Sequence, residues 1–171
     1  VANKGVLMAR VATPKGPLDV YIAHPVAEYP GAKFRTLRFS QIYELAETVL
    51  QLSTGRPFII MGDLNTKPGD LGYQLLLDLL GLQDACIEKG KDVCGLTNAK
   101  DDGRIDHVLA PRGAGAFIRA RAAFQGFLPG TQIAYSDHLA IESELDERIL
   151  KARPAPDPAR RAAALQTLES S

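Results

Sequence analysis

The sequence predicts an α/β (α+β) fold. Strand, loop and helix alternate through the middle of the chain, and short runs rich in Val and Ile are bounded by turn formers. The 171 residues, 46% hydrophobic and 23% charged, suit one globular domain with a real core and are marginal for two.

The first element is a β-hairpin: "VLMARVATPKGPLDVYIAH" holds two extended runs around "TPKGP", whose Pro and Gly favour a reversal. From Arg35 to Ser53, Phe39, Ile42, Tyr43, Ala46, Val49 and Leu50 recur at helical spacing with Arg38, Glu44 and Glu47 opposite, so this segment is an amphipathic helix stopped by Gly55 and Pro57. "PFIIM" follows as a buried strand. A second helix is expected from Asp70 to Leu80, with Asp70 as N-cap and Gly81 as C-cap. Residues 88–103 carry turn formers without periodicity and read as a surface loop before the strand "RIDHVLA". Strands at about 115–124 and 138–145 follow. After Leu150 the prolines of "RPAPDP" block regular structure, and residues 151–171 are expected to be a Pro/Ala-rich tail outside the core, in part disordered or a short helix.

Twenty basic residues balance twenty acidic ones and no basic block interleaves with aromatics, so charge does not suggest an extended nucleic-acid footprint. "LLLDLLGL" is interrupted by Asp78 and too short to cross a bilayer. No signal peptide opens the chain. Cys86 and Cys94 form no Cys-x-x-Cys arrangement, which disfavours zinc; a small disulfide loop is open but unforced, and the reading is a reducing compartment.

Polar side chains cluster at predicted strand ends, where they can converge on one rim of a sheet: His24; Asp63 and Asn65 in "GDLN"; Asp106 in "RIDHV"; and Ser136, Asp137 and His138 in "SDH". Carboxylates with an amide oxygen suit a hard cation such as Mg²⁺, and a nearby histidine can move a proton near neutral pH. Taken singly, "GDLN" is more often an Asx turn than a site, and His24 before a proline is more often a strand end than a catalyst. Asp106 within an apolar strand requires a partner, since a buried carboxylate is costly alone, and His138 is the natural one. His107 points opposite to Asp106 along the strand and is assigned to structure.

In order and setting these motifs resemble the C-terminal half of the endonuclease/exonuclease/phosphatase superfamily of Mg²⁺-dependent phosphodiesterases. "HPVAEY", "RFSQIYELAETV", "GDLNTKPGDLG", "LGLQDA", "RIDHVL" and "SDHLA" look similar to neutral sphingomyelinases and inositol phosphosphingolipid phospholipases, over about residues 5–147. The resemblance implies a DNase I-like α/β (α+β) sandwich, of which residues 1–150 form the C-terminal part. It implies that Asp63 lies at the metal and the phosphate and orients or helps activate the attacking water, that Asn65 contacts the phosphate and stabilises its developing charge, and that Asp137 sits beside the metal. His138 would act as general base, oriented by Asp106. His24 would stabilise the phosphorane or protonate the leaving oxygen, although Ala23 and Pro25 replace the Thr and Leu that flank this histidine in the family.

The implied partner is a phospholipid at a membrane surface, in a cytoplasmic or peripheral-membrane setting, with no transmembrane segment in this chain and no nucleic acid. The implied cofactor is Mg²⁺. The family's N-terminal half, with its metal-binding Glu, has no counterpart here, so the chain is expected to be a fragment with an uncovered sheet edge and apolar face. Two alternatives stand beside the lipid phosphodiesterase: a nuclease or other phosphoesterase on the same fold, and a non-catalytic truncated product.

Overall fold

A computed structural model describes residues 4–27, 29, 32–88, 90–98, 103–112, 117–124, 126–151 and 156–170. The expected hairpin is β1 (Gly5–Thr13) and β2 (Gly16–His24), antiparallel and joined by the two residues Pro14 and Lys15. Helix α1 (Ala32–Leu52) crosses over to β3 (Phe58–Asp63), which lies parallel to β2. After α2 (Leu71–Leu80) come β4 (Leu82–Asp84), the short pair β5 (Ile87–Glu88) and β6 (Lys91–Asp92), β7 (Asp106–Pro111), β8 (Phe117–Ala123) and β9 (Ala140–Leu145). A 3₁₀ turn at Glu147–Lys151 and helix α3 (Pro158–Glu169) close the described chain.

Five strands form one sheet in the order β1-β2-β3-β7-β4, while β8 and β9 pair as a separate ribbon. One sheet face packs under the helices: Tyr21, Phe58, Ile60 and Leu109 meet Phe39, Ile42, Leu45, Ala46 and Val49 of α1 and the leucines of α2. On the other face a smaller cluster of Leu18, Ile59, Ala110 and Ile149 is joined by Phe117 and Leu145 from the ribbon. That cover is incomplete. Leu7 and Ile22 are partners across the hairpin, on the face opposite Met8 and Tyr21, and stand 63% and 45% exposed. Among the described residues, this part of the sheet face is apolar and exposed.

Four sequence expectations need correction: the two faces of α1, the cap of α2, the loop 88–103 and the tail. Tyr43 is exposed and Leu45 takes its place in the stripe. Arg38, assigned to the polar side, is buried, because it lies four residues before Ile42 and so shares its face. Asp70 occupies the N-cap position, but its carboxylate accepts from Lys67 N (2.9 Å) and not from a helix amide; Thr66 Oγ1 accepts the first-turn amide of Tyr73 instead (3.1 Å). Gly81 does terminate α2 in the left-handed region.

The third correction concerns the loop 88–103, of which 89 and 99–102 lie outside the described residues. Cys86 and Cys94 are joined as a disulfide, and β5 and β6 pair inside that loop. The reducing-compartment reading rested on unpaired cysteines and loses that support. Thr97 and Asn98 are buried rather than on a solvated surface.

The fourth concerns the tail. Residues 152–155, including Pro154 of the expected break, lie outside the described residues, but α3 is not outside the core. Its Ala164 is buried against the helical cluster with Leu165 and Leu168 beside it, and Arg161 bonds Glu47 (2.6 Å) and the Leu79 carbonyl (3.0 Å). Asp157 caps this helix through the amides of Ala159 and Arg160.

Candidate active site

Because β2 and β3 are parallel, their C-terminal residues His24 and Asp63 arrive at the same sheet edge. Strand β7 runs the other way, and its first residue, Asp106, is the register partner of Asp63. Gly62 makes the close approach possible. Its φ of +130° is outside the comfortable range of other residues, and a Cβ there would stand 2.3 Å from the Ala23 carbonyl oxygen. The chain then turns through Asn65, at φ +49°, whose amide nitrogen donates to Asp63 Oδ1 (2.9 Å), the geometry of an Asx turn. The Asn65 side chain reaches back to the Pro25 carbonyl (3.1 Å). "GDLN" is thus both the bland turn and the apex of the cleft.

His138 enters just before β9, with its backbone amide held by Ser136 Oγ (3.0 Å). Its Nδ1 meets Asp106 Oδ2 at 2.9 Å, the pairing expected for a carboxylate in an apolar strand. Its Nε2 faces Asn98 Nδ2 (2.8 Å) and lies 4.0 Å from Asp63 Oδ2. His24 Nε2 is 3.3 Å from the same Asp63 oxygen and 2.6 Å from Lys4 Nζ. The cleft above this rim has a volume of about 500 Å³ and is lined by His24, Asp63, Asn65, Asp137 and His138 together with Lys4 and Lys67. All site residues expected from sequence except Asp106 line it, and Asp106 stands behind His138.

Electrostatics follow from this crowding. Burial pushes the Asp63 carboxyl above its ordinary range, the Asn65 amide works the other way, and the nearby Asp106 charge adds to the rise. For His138, burial disfavours the charged ring, but the Asp106 hydrogen bond and the charges of Asp106, Asp63 and Asp137 together outweigh it, and the pKa rises. His107 is structural as expected: fully buried, it bonds Asp84 through Nδ1 (2.9 Å) and the Thr66 carbonyl through Nε2 (2.8 Å).

Asn98, Lys4 and Lys67 were not singled out from sequence. Asn98 sits in an aperiodic segment, and its bridge and side-chain contact to His138 reveal it only in the fold. Asp63 and Asp137 supply the hard oxygens that Mg²⁺ takes. Among the described residues, however, no three His, Cys, Asp or Glu side chains converge as a metal-holding group. The donors fit in type and fall short in number.

A sheet edge that gathers a carboxylate–histidine pair, a second carboxylate, a second histidine and an asparagine around one cleft is the architecture of a phosphoesterase family. The chain belongs to the Endonuclease/Exonuclease/phosphatase family, whose signature matches residues 4–138. It is similar to sphingomyelin phosphodiesterase 2 of Homo sapiens, 31% identical over 150 residues, covering 75% of this chain and 36% of that protein. The Rattus norvegicus protein of the same name is 32% identical over the same length and coverage. Among solved structures, a beta toxin variant from Staphylococcus aureus with bound magnesium ions superposes with a TM-score of 0.62 at 16% identity, over 82% of this chain and 57% of that one. The chain therefore spans little more than a third of the length of these curated relatives, and the likeness to the toxin shows the fold alone.

Proposed function

We propose that residues 1–150 form the C-terminal part of a DNase I-like phosphodiesterase domain that, in the intact protein, hydrolyses sphingomyelin-type phospholipids to ceramide and a phosphorylated head group. The observation that carries this reading is the convergence of His24 and His138 on Asp63, with Asp106 behind His138.

In the proposed chemistry a water attacks the phosphodiester phosphorus. His138 Nε2 removes its proton, while Asp106 holds the Nδ1 hydrogen and so fixes the tautomer that leaves Nε2 basic. The Asn98 amide must release Nε2 for this to occur. His24 Nε2 and Lys4 Nζ, 2.6 Å apart, together face the phosphate, offset its charge and supply the proton for the departing ceramide oxygen. Asn65 contributes amide donors from a turn held rigid at both ends. Mg²⁺ would be held by Asp63 and Asp137 and would polarise the phosphoryl oxygens.

A lipid surface as the substrate's setting is supported by the segment just before His138. There Phe124, Phe127, Leu128, Ile133 and Tyr135 are exposed, and a bridge between Phe127 and Ala134 closes the stretch that holds Leu128 and Ile133. Five apolar side chains exposed in the segment that leads into His138 favour an amphiphilic substrate. No described helix is long and apolar enough to cross a membrane. A peripheral-membrane setting accords with this loop.

The test is Mg²⁺-dependent phosphocholine release from sphingomyelin vesicles by the intact protein and its His138→Ala variant. Equal release from both defeats the reading. Salt-sensitive DNA binding with DNA cleavage would replace it by the nuclease alternative, which the zero net charge disfavours.

A further inference from the structure

We propose that the Cys86–Cys94 disulfide and the buried Arg104 form a redox-sensitive positioning device for the Asp106–His138 pair, through which reduction slows turnover while the fold persists. The inference rests on the proposed role of that pair in proton transfer.

The disulfide closes a loop whose flanks carry two carboxylates. Asp84 Oδ1 accepts from Cys86 N (2.8 Å), and Asp92 Oδ1 accepts from Cys94 N (2.9 Å) and Gly95 N (3.0 Å). The remaining oxygens of both acids meet one guanidinium: Arg104 Nε donates to Asp92 Oδ2 (2.9 Å), and Nη2 lies 3.1 Å from Asp84 Oδ2. The Arg104 side chain is fully buried. Loss of Asp92 would leave Asp84 as the charge partner but strand the buried Nε–H without an acceptor, so the guanidinium must shift to satisfy it. Arg104 Nη1 in turn donates to the Asp106 carbonyl (3.1 Å), at the start of β7 where the Asp106 carboxylate is aimed.

A second path leaves the same loop. Thr97, three residues after Cys94, accepts the amides of Ile105 and Asp106 on its Oγ1 (3.2 Å each), and its carbonyl accepts the amide of Leu139 (2.7 Å). Asn98, next along, contacts His138 Nε2 (2.8 Å). One short segment thus braces both members of the pair. It is secured on its N-terminal side by a two-residue β5–β6 ladder, which is marginal by itself, and by the disulfide.

Reduction requires a dithiol of the thioredoxin chemical class. Its thiolate attacks the Sγ of Cys94, the less buried of the two residues, and the Cys86 sulfur leaves and takes a proton. The second thiol of the reductant then closes its own disulfide and frees Cys94 as a thiol. Two electrons and two protons reach the protein, and one disulfide forms on the reductant. The opened loop regains chain entropy, Asp92 drifts from Arg104, and the Thr97 brace loosens.

Amide hydrogen exchange on the oxidised and dithiothreitol-reduced chain, with both thiols counted by alkylation, tests this. The amides of Ile105, Asp106 and Leu139 should exchange at least about tenfold faster after reduction, while those of Tyr21 and Val49 in the main core keep their protection. Unchanged exchange at the first three overturns the proposal. So does loss of protection everywhere, which would make the disulfide a general staple. In the intact protein, reduction should lower kcat about tenfold to hundredfold with KM little changed, and a Cys86→Ser/Cys94→Ser variant should ignore the reductant. Turnover unaffected by verified reduction also overturns it. Absence of turnover in either state refutes the phosphodiesterase reading instead, and the exchange result then decides the coupling alone.

Discussion

Replacing Gly62 by alanine tests how the sheet edge is assembled. The new Cβ would sit 2.3 Å from the Ala23 carbonyl oxygen, and that oxygen belongs to a backbone fixed between β1 and β3. Neither side can give way without prying β3 from β2. A non-glycine residue at φ +130° costs roughly 1–3 kcal/mol in backbone strain. Forcing a methyl into a packed site adds roughly 1–3 kcal/mol more. Gly62→Ala should therefore lose about 2–6 kcal/mol, a large share of a typical domain stability of about 5–15 kcal/mol. Urea denaturation followed by far-UV circular dichroism reads this as a lower midpoint with an unchanged slope. The internal control is Gly130→Ala: φ is +74° there but nothing stands within 4 Å, so only the strain contribution of about 1 kcal/mol should be lost. Equal costs at the two positions, or a Gly62→Ala loss below about 1 kcal/mol, would refute the close-approach argument.

Asp84→Asn removes the charge that Arg104 and His107 surround and should cost about 3–5 kcal/mol, read by the same denaturation; a change within error would show the network to be dispensable. Burial opposes the charge on Asp84, but His107 and Arg104 overcome it and hold its pKa below 3.8. Its contribution is therefore present above that value and lost as pH falls through the folded value, and Asp84→Asn should flatten the stability profile below about pH 4. In the reaction proposed for the intact protein, His138 must be neutral to accept a proton, so the acid limb of kcat should lie above the ordinary 6.5, and Asp106→Asn should shift it downward while lowering kcat. An acid limb unmoved by Asp106→Asn would dissociate the two residues. Ending the chain after Lys151 uncovers the seat of Ala164, Leu165 and Leu168 and should cost about 2–4 kcal/mol in urea; an unchanged midpoint would return α3 to a loose tail.

The parts of this molecule that were legible in its sequence share a cause. Asp63, Asp106 and His138 stand beside apolar strand runs, and a polar residue in such a place demands a partner; the strand pattern thus announced both the sheet and the rim. The carboxylate–histidine pair could be matched in advance for the same reason. Arg38 was misplaced because one charged letter on a helix reads as solvent-facing, although its spacing from Ile42 puts it inside. Helix α3 was missed as part of the core because its docking face is an alanine and two leucines, too thin a stripe to stand out, and its anchor is an ion pair from Arg161 to Glu47, 114 residues away. Thr97 and Asn98 were invisible because their role comes from backbone and side-chain bonds across the fold, which leave no period behind.

The parallel pairing of β2 with β3 also has a kinetic meaning. His24 and Asp63 come within 3.3 Å only after the whole of α1 has crossed over and docked. A hairpin such as β1–β2 can close early from local contacts, whereas a parallel pair must first meet the entropy of closing a long loop. A nascent or partly folded chain can therefore hold most of its helix and its first two strands yet possess no cleft. Formation of the His24–Asp63 contact should lag closure of the β1–β2 hairpin, and the cleft cannot exist before it.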